Sequence, residues 1–166
     1  MIVVKDWVLV AHPLFIDQLN ALADAIERDR AKKPGTYRQS ANAKLLAAVF
    51  KLVVDVIPAN PNEPAFRQGD TLGSGRKHWF RAKFGAGRFR LFFRFSSSSH
   101  TIIYAWVNDQ HTLRTYGSKT DAYRVFSKML DSGNPPDGWG ELSKAAADPE
   151  TARRLAGVIE RAKSLT

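Results

Sequence analysis

Apolar and basic residues alternate along two neighbouring stretches in the middle of the chain. Alternation of this kind is typical of β-strands with two distinct faces. The residues on the apolar face are Phe80, Ala82, Phe84, Phe89, Leu91, Phe93 and Phe95. The residues on the opposite face, called the cationic face below, are Trp79, Arg81, Lys83, Arg88, Arg90, Phe92 and Arg94. The pattern therefore predicts two paired strands with one face in the core.

A Gly-Ala-Gly break separates the two stretches and indicates a hairpin, whose register the side chains select. A loop of odd length would pair Arg81 with Leu91 and mix the two faces. A loop of even length pairs Lys83 with Arg90 and Arg81 with Phe92, which keeps both faces pure. We therefore predict the even loop.

A third strand is predicted over 101–108, after a loop over 96–100. If Phe95 pairs with Thr101, three residues join the core row, namely Ile103, Ala105 and Val107. The alternate residues Ile102, Tyr104 and Trp106 then lie among the arginines. Both faces of this stretch are apolar, so a slip of one residue would exchange them.

Apolar residues at helical spacing predict the remaining elements. A first strand over 7–10 is followed by a helix that Pro13 opens, and Ser40 begins a second helix that reaches Ile57. These two helices form a hairpin for the apolar face of the sheet. After the sheet, helices are predicted from about Thr120, over 139–147 and over 149–164. The last of these has a thin apolar stripe, so it either packs weakly or awaits a partner.

These elements predict an α+β fold in one domain over residues 1–166. The expected architecture is a twisted antiparallel sheet with the N-terminal helical hairpin on one face and the cationic face left open. Residues 139–166 would be a C-terminal helical extension. With 166 residues and 44% hydrophobic content, the chain is long enough for one substantial core.

Charge and residue usage limit the classes of function. The net charge is +9, and residues 77–119 hold eight Lys or Arg against one acid, Asp109. The chain has no cysteine and no apolar run long enough for a membrane, which favours a cytoplasmic protein without a membrane partner. The four histidines lack the spacing of metal ligands, so we expect neither a metal nor another cofactor.

The cationic face predicts binding to RNA, because cations meet phosphates and aromatic rings stack on unpaired bases. The simpler interpretation is a solvated face whose arginines keep the protein soluble. The candidate RNA-binding residues are Trp79, Arg88, Phe92, Arg94, Trp106, Arg114 and Lys119.

Seven segments resemble the YhaV family of bacterial toxins, within the RelE/ParE superfamily. They are HPLFIDQLN, RQGDTLG, HWFRAKF, RLFFRF, AWVNDQ, YGSKTDAYRVF and KMLDSGNPPDGW, and they cover most of residues 7–140 in order. The resemblance implies a RelE-like fold and the toxin of a type II toxin-antitoxin system, a ribonuclease that cleaves mRNA in association with the ribosome. It also implies a PrlF-type antitoxin with an AbrB-like DNA-binding domain, whose complex with the toxin binds operator DNA and represses its own operon.

RNA can be cut without metal when the 2'-OH attacks the adjacent phosphate. Such a site needs a base, cations for the phosphorane, and an acid for the leaving 5'-oxygen. By resemblance, the superfamily's site residues fall here on Arg81, Lys83, Arg90, His111 and Tyr116. His111 is a candidate acid or base because histidine titrates near neutrality, with Tyr116 or Lys83 as alternatives.

One feature departs from the superfamily. Some members use a glutamate base, and the sheet segment contains no glutamate. The identity of the base therefore stays open. Two rival functions also remain at this point, a ParE-like toxin that poisons gyrase and a non-catalytic RNA-binding domain.

Overall fold

The computed structural model describes residues 1–115 and 117–166. Its strands are β1 (Ile2–Val4), β2 (Trp7–Ala11), β3 (Phe80–Phe84), β4 (Phe89–Ser96) and β5 (Thr101–Val107). Its helices are α1 (Pro13–Lys32), α2 (Ala41–Lys51), α3 (Ile57–Ala59), α4 (Ala122–Asp131), α5 (Trp139–Ala147) and α6 (Pro149–Leu165). A π-helical turn, Leu52–Val56, joins α2 to α3, so the predicted second helix is continuous to Ala59.

The strands form one sheet in the order β1-β2-β5-β4-β3. Neighbouring strands are antiparallel except for β2 and β5, which run parallel with Val8 opposite Thr101. The predicted α+β class is confirmed, whereas the expectation of a wholly antiparallel sheet is wrong at this pair. The β3-β4-β5 meander fixes the direction of β5, and β1 already occupies the other edge of β2.

The β3–β4 register follows the prediction. Lys83 lies opposite Arg90 and Arg81 lies opposite Phe92. The β5 register differs from it by one residue, since Phe95 pairs with Ile102. A β-bulge further along the pair reverses this one-residue shift. Phe92 pairs with Trp106 and Phe93 pairs with Tyr104, so Ala105 is the extra residue on β5. As a result, Ile102 and Tyr104 face one core while Ile103 and Ala105 face the other, the reverse of the expectation.

The first core lies between the sheet and the α1–α2 hairpin, as predicted. The sheet contributes Leu9, Ala11, Ala82, Leu91, Phe93, Ile102, Tyr104 and Val107. Helix α1 contributes Phe15, Leu19 and Ile26, and its N-cap is His12, whose Nδ1 accepts a hydrogen bond from the Leu14 amide at 3.2 Å. Val56 lies at the apolar spacing of its helix and is nevertheless exposed.

The last helix also belongs to this first core. Leu155, Val158, Ala162 and Leu165 of α6 are buried against it, and Arg161 forms ion pairs with the α1 carboxylates of Asp24 and Glu27. The apolar face of α6 is thus wider than the sequence suggested, because it also includes Val158 and Leu165. No helix in the described ranges is long and apolar enough to cross a membrane.

A second core covers most of the cationic face and leaves Lys83 and Arg88 exposed, so the prediction that this face stays open is wrong. Helices α4 and α5 pack over it, and Phe126 of α4 stacks on Phe92 with ring centroids 4.3 Å apart. Trp79, Phe92 and Trp106 are buried in this core. The physical reason is that α4 is itself amphipathic, and Tyr123, Phe126 and Leu130 need an apolar surface.

Candidate active site

Two arginines from the hairpin meet at one tyrosine of α4. The Nε atoms of Arg81 and Arg90 donate hydrogen bonds to the Tyr123 hydroxyl oxygen at 2.9 and 3.0 Å. The β3–β4 register makes the arginines diagonal neighbours on one face, and the position of α4 brings the tyrosine between them. The hydroxyl therefore fixes the directions of two guanidinium groups at once.

Backbone carbonyls hold the other side of each guanidinium. Arg81 Nη1 donates to the Ala65 carbonyl at 2.7 Å, and Arg90 Nη1 donates to the carbonyls of Gly87 and Phe89 at 2.5 and 3.1 Å. The two arginines are 8% and 6% exposed. In residues 1–115 and 117–166, neither Nη2 atom has a hydrogen-bond partner. One edge of each guanidinium is thus left for an anion.

Arg114 extends this cluster from the loop after β5. Its Cζ lies 4.7 Å from the centroid of the Tyr123 ring, and its Nη1 donates to Asp121 Oδ1 at 2.6 Å. Asp121 is buried and is the N-cap of α4, where its Oδ2 accepts from the Tyr123 amide at 3.1 Å. Its Oδ1 also accepts from the Thr115 amide at 2.6 Å. One carboxylate therefore positions both the loop and the start of the helix.

A buried asparagine ties the same loop to β4. Asn108 is 1% exposed, and its Oδ1 accepts from the Arg90 amide at 2.6 Å. Its Nδ2 donates to the carbonyls of Arg88 and Thr112 at 3.1 and 2.9 Å. The Arg114 amide donates to the same Arg88 carbonyl at 3.1 Å. These bonds hold the segment that follows β5 against the start of β4, next to Arg90.

Exposed cations surround the cluster. Lys83 lies opposite Arg90, Arg88 stands at the hairpin, and Lys119 follows in the loop before α4. His111 is also exposed, with its amide bonded to Asp109 Oδ1 at 2.8 Å. Across the described part of the chain, none of these four side chains forms an ion pair. The surface beside the buried arginines is therefore free to attract a polyanion.

Several residues predicted to bind RNA have other surroundings. Trp79, Phe92 and Trp106 are enclosed in the second core, so the prediction that these rings stack on bases is wrong. Arg94 lies between the rings of Trp79 and Trp139, at 5.6 and 5.3 Å from their centroids. Its Nη1 donates to the Asp137 carbonyl at 2.6 Å, and burial lowers its pKa. Arg94 is therefore engaged within the protein rather than presented to phosphate.

The carboxylate of Asp137 anchors this neighbouring network. His78 Nε2 and Trp79 Nε1 lie 2.7 and 2.6 Å from its Oδ1, and Arg76 approaches its Oδ2 at 3.7 Å. Partial burial acts to raise the pKa of Asp137, but the hydrogen bonds and the nearby cations prevail and lower it. His78 is therefore held in a structural network with Trp79 and Arg76.

Of the residues implied by the resemblance, the structure brings Arg81, Arg90 and Lys83 together and leaves His111 on the adjoining loop. Tyr116 lies outside the described residues. No group of His, Asp and Glu in the described segments has the arrangement of a metal site. Sequence patterns do not single out Tyr123, because its spacing with Phe126 and Leu130 is that of an ordinary apolar stripe on a helix. The signal that could have identified it is its place in the first turn of a helix that directly follows a basic loop.

The cluster can stabilise a phosphorane. Guanidinium groups match the geometry of phosphate oxygens, and pre-oriented cations in a partly dry site stabilise developing negative charge better than mobile ones. Here Arg81 and Arg90 are oriented by Tyr123 and by the backbone before any ligand binds.

Comparison with known proteins gives this geometry a context. A family model described as a toxin with endonuclease activity, of toxin-antitoxin system, matches residues 9–147. The chain is 52% identical over 142 residues to "Ribonuclease toxin YhaV" of Escherichia coli strain K12, a match that covers 85% of this chain and 92% of that relative. The proteins named "Toxin YhaV" from Escherichia coli O157:H7 and O6:H1 match to the same extent. No solved structure is significantly similar.

Proposed function

Since the chain belongs to the YhaV family of toxins with endonuclease activity, we propose that it cleaves messenger RNA in association with the ribosome and thereby stops translation. The observation that carries this proposal is the convergence of Arg81 and Arg90 on the Tyr123 hydroxyl, beside exposed Lys83 and Arg88. This arrangement suits a phosphate in an RNA backbone, since two fixed guanidinium groups lie beside exposed cationic side chains.

The proposed reaction is an in-line transfer within the RNA. The 2'-oxygen attacks the adjacent phosphorus, the bond from phosphorus to the 5'-oxygen breaks, and the products are a 2',3'-cyclic phosphate and a 5'-hydroxyl. The proton of the 2'-OH passes to a base, and a proton is supplied to the leaving 5'-oxygen. Arg81 and Arg90 stabilise the phosphorane charge in this proposal.

The proton-transfer roles belong to the exposed part of the site. His111 and Lys83 are the candidates among the described residues, and Tyr116 is the third candidate from the resemblance. Tyr123 is a positioning residue, because its hydroxyl is buried and acts on RNA through the two arginines. Arg88, Arg114 and Lys119 contribute to binding the RNA backbone.

The test is to incubate the purified protein with translating ribosomes and to map the new RNA ends. We expect cuts within the translated message, with 5'-hydroxyl and cyclic phosphate ends, and a loss of about 100-fold in Arg90→Ala, the scale for one transition-state donor. Cuts that carry a 5'-phosphate would contradict the proposed chemistry. Binding without any cut would favour a non-catalytic RNA-binding domain, and inhibition of gyrase without RNA cleavage would favour a ParE-like toxin.

The partner belongs to the same proposal. A toxin-antitoxin system implies an antitoxin, and we propose a small PrlF-type protein with an AbrB-like DNA-binding domain. The complex would bind operator DNA and repress its own operon, and the toxin would act in the cytoplasm, where translation takes place. Co-expression of this antitoxin should abolish growth inhibition. A toxin that stays lethal at equal antitoxin levels would contradict the assignment.

A further inference from the structure

An apolar groove runs along α2 and ends beside the candidate active site. Its first hollow, of about 310 Å³, lies between α2 and the tip of the β3–β4 hairpin and includes Ala41, Leu45, Phe84 and Phe89. Its second hollow, of about 300 Å³, lies between α1 and α2 and includes Ala21, Leu22, Leu45 and Val107. Leu45 lines both hollows, so they adjoin each other, and the two are together called the α2 groove below.

The groove shares its boundaries with the candidate active site. Phe84 follows Lys83 on β3, and Phe89 is the first residue of β4, between Arg88 and Arg90 in the sequence. Gln110 lines the first hollow and Asn108 and Asp109 line the second. These three residues belong to the loop that Asn108 fastens to β4. A ligand in the groove therefore contacts both elements that carry the candidate site.

The lining of the groove favours a protein ligand over RNA. The first hollow is lined by apolar side chains apart from Lys44 and Gln110, and Phe84 stacks on Phe89 with their ring centroids 5.4 Å apart. The Asp109 carboxylate is occupied within its own loop, where it accepts from the His111 amide and the Thr112 hydroxyl. An apolar trough between helices, bordered by cations, fits an amphipathic helix with acidic residues at one end.

We propose that the α2 groove binds an amphipathic helix of the antitoxin, and that an acidic segment next to this helix covers Lys83 and Arg88. The identity of the partner rests on the proposed function. The apolar side chains of the helix would pack on Leu22, Leu45 and the Phe84–Phe89 pair. The acidic segment would cover the cations that RNA phosphates contact. The antitoxin would thus bind in the α2 groove and block the candidate active site at the same time.

The experiment uses three alanines that differ mainly in location. Ala21 and Ala41 are exposed alanines in the two hollows of the groove, and Ala31 is an exposed alanine of α1 that lines neither hollow. Ala21→Glu and Ala41→Glu place a charge in the groove without touching the core. Ala31→Glu makes the same chemical change elsewhere. Thermal melting of each variant reports whether it is folded.

Binding of the co-produced PrlF-type antitoxin is measured directly by calorimetry in the absence of RNA. We expect Kd to rise by about 10-fold or more in Ala21→Glu and in Ala41→Glu, the effect of disturbing a central apolar contact, and to stay unchanged in Ala31→Glu. RNA cleavage without antitoxin should be the same in all three variants. Neutralisation of that cleavage should weaken only in the two groove variants.

Two results would overturn this proposal. If the groove variants bind antitoxin as tightly as the native protein, the helix docks elsewhere. If they lose affinity for RNA but keep their affinity for antitoxin, the groove is part of the RNA-binding surface. Should the native protein cut no RNA, the proposed function fails, but the antitoxin affinities still decide whether the groove is the docking site.

Discussion

Replacing Tyr123 by phenylalanine removes one oxygen atom and leaves the ring in place. That oxygen accepts hydrogen bonds from the Nε atoms of Arg81 and Arg90, whereas the ring packs edge-on against Phe92 and lies under Arg114. The variant therefore tests the positioning of two guanidinium groups while it preserves the packing of α4. We expect RNA cleavage to fall much more than RNA binding.

The magnitude follows from the geometry. Both guanidinium groups keep their bonds to backbone carbonyls but lose the contact that fixes their direction. A misplacement of about 1 Å in a catalytic group costs on the order of 100-fold in rate, or about 2.7 kcal/mol of transition-state stabilisation. The two Nε–H groups left unpaired also destabilise the fold by about 1–3 kcal/mol each, because both arginines are more than nine-tenths buried.

The assay combines three measurements on one set of proteins. Single-turnover cleavage on translating ribosomes gives the rate, a 2'-O-methyl RNA that cannot be cut gives the affinity, and urea unfolding gives the stability. Tyr104→Phe is the matched control, because it also removes a buried tyrosine hydroxyl, which donates to the Val53 carbonyl at 2.7 Å. This control should lose about 1 kcal/mol of stability and retain its cleavage rate.

A specific result would refute the reasoning. If Tyr123→Phe loses stability but cuts RNA within about threefold of the native rate, the hydroxyl serves only the architecture, and pre-orientation of the arginines contributes little to catalysis. If both tyrosine variants slow cleavage equally, the loss reflects a general loosening of the fold.

Three further variants test other parts of the structure. Asp121→Asn should lower the free energy of unfolding by about 1–3 kcal/mol in urea titrations, because it removes the buried ion pair at the start of α4. Because the pKa of Asp137 is lowered, its ionised form stabilises the fold at neutral pH, and this stabilisation is lost as the pH falls below 3.8. The native protein should therefore have a higher free energy of unfolding than Asp137→Asn at neutral pH, and the difference should disappear on acidification. Gly85→Ala should destabilise the hairpin by more than Gly87→Ala in thermal melts, since both positions have positive φ but only at Gly85 does a Cβ come within 2.6 Å of the Phe89 ring.

The hairpin was predictable because its two faces differ in chemistry. Nearly every residue of β3 and β4 is either apolar or basic. Only one register therefore places the apolar residues on one face and the basic residues on the other, and the structure has that register. The third strand lacked this information. Ile102 and Ile103 are equally suited to either face, and the bulge at Ala105 changes the phase inside the strand, which alternation cannot reveal.

The candidate site was predictable in part for a similar reason. Arg81 and Arg90 came from alternation and resemblance together, whereas their contact with Tyr123 depends on where α4 packs. The amphipathic pattern of α4 indicated that it needed an apolar surface but not which one. Placing it on the cationic face encloses Trp79 and Phe92, and it turns two of the predicted exposed cations into buried, oriented groups.

The parallel pairing of β2 with β5 affects how the protein is made. Val8 emerges from the ribosome early, but its partner Thr101 is synthesised only after most of the chain. The β1–β2 hairpin therefore cannot join the rest of the sheet until β5 has been synthesised. Contacts between residues so distant in sequence form slowly. Since Tyr123 lies later still, a nascent chain holds the hairpin arginines before it holds the group that orients them. On the role proposed for Tyr123, the order of synthesis separates RNA-attracting charge from cutting activity, so we expect that an unfinished chain at the ribosome exit does not cleave the message that encodes it.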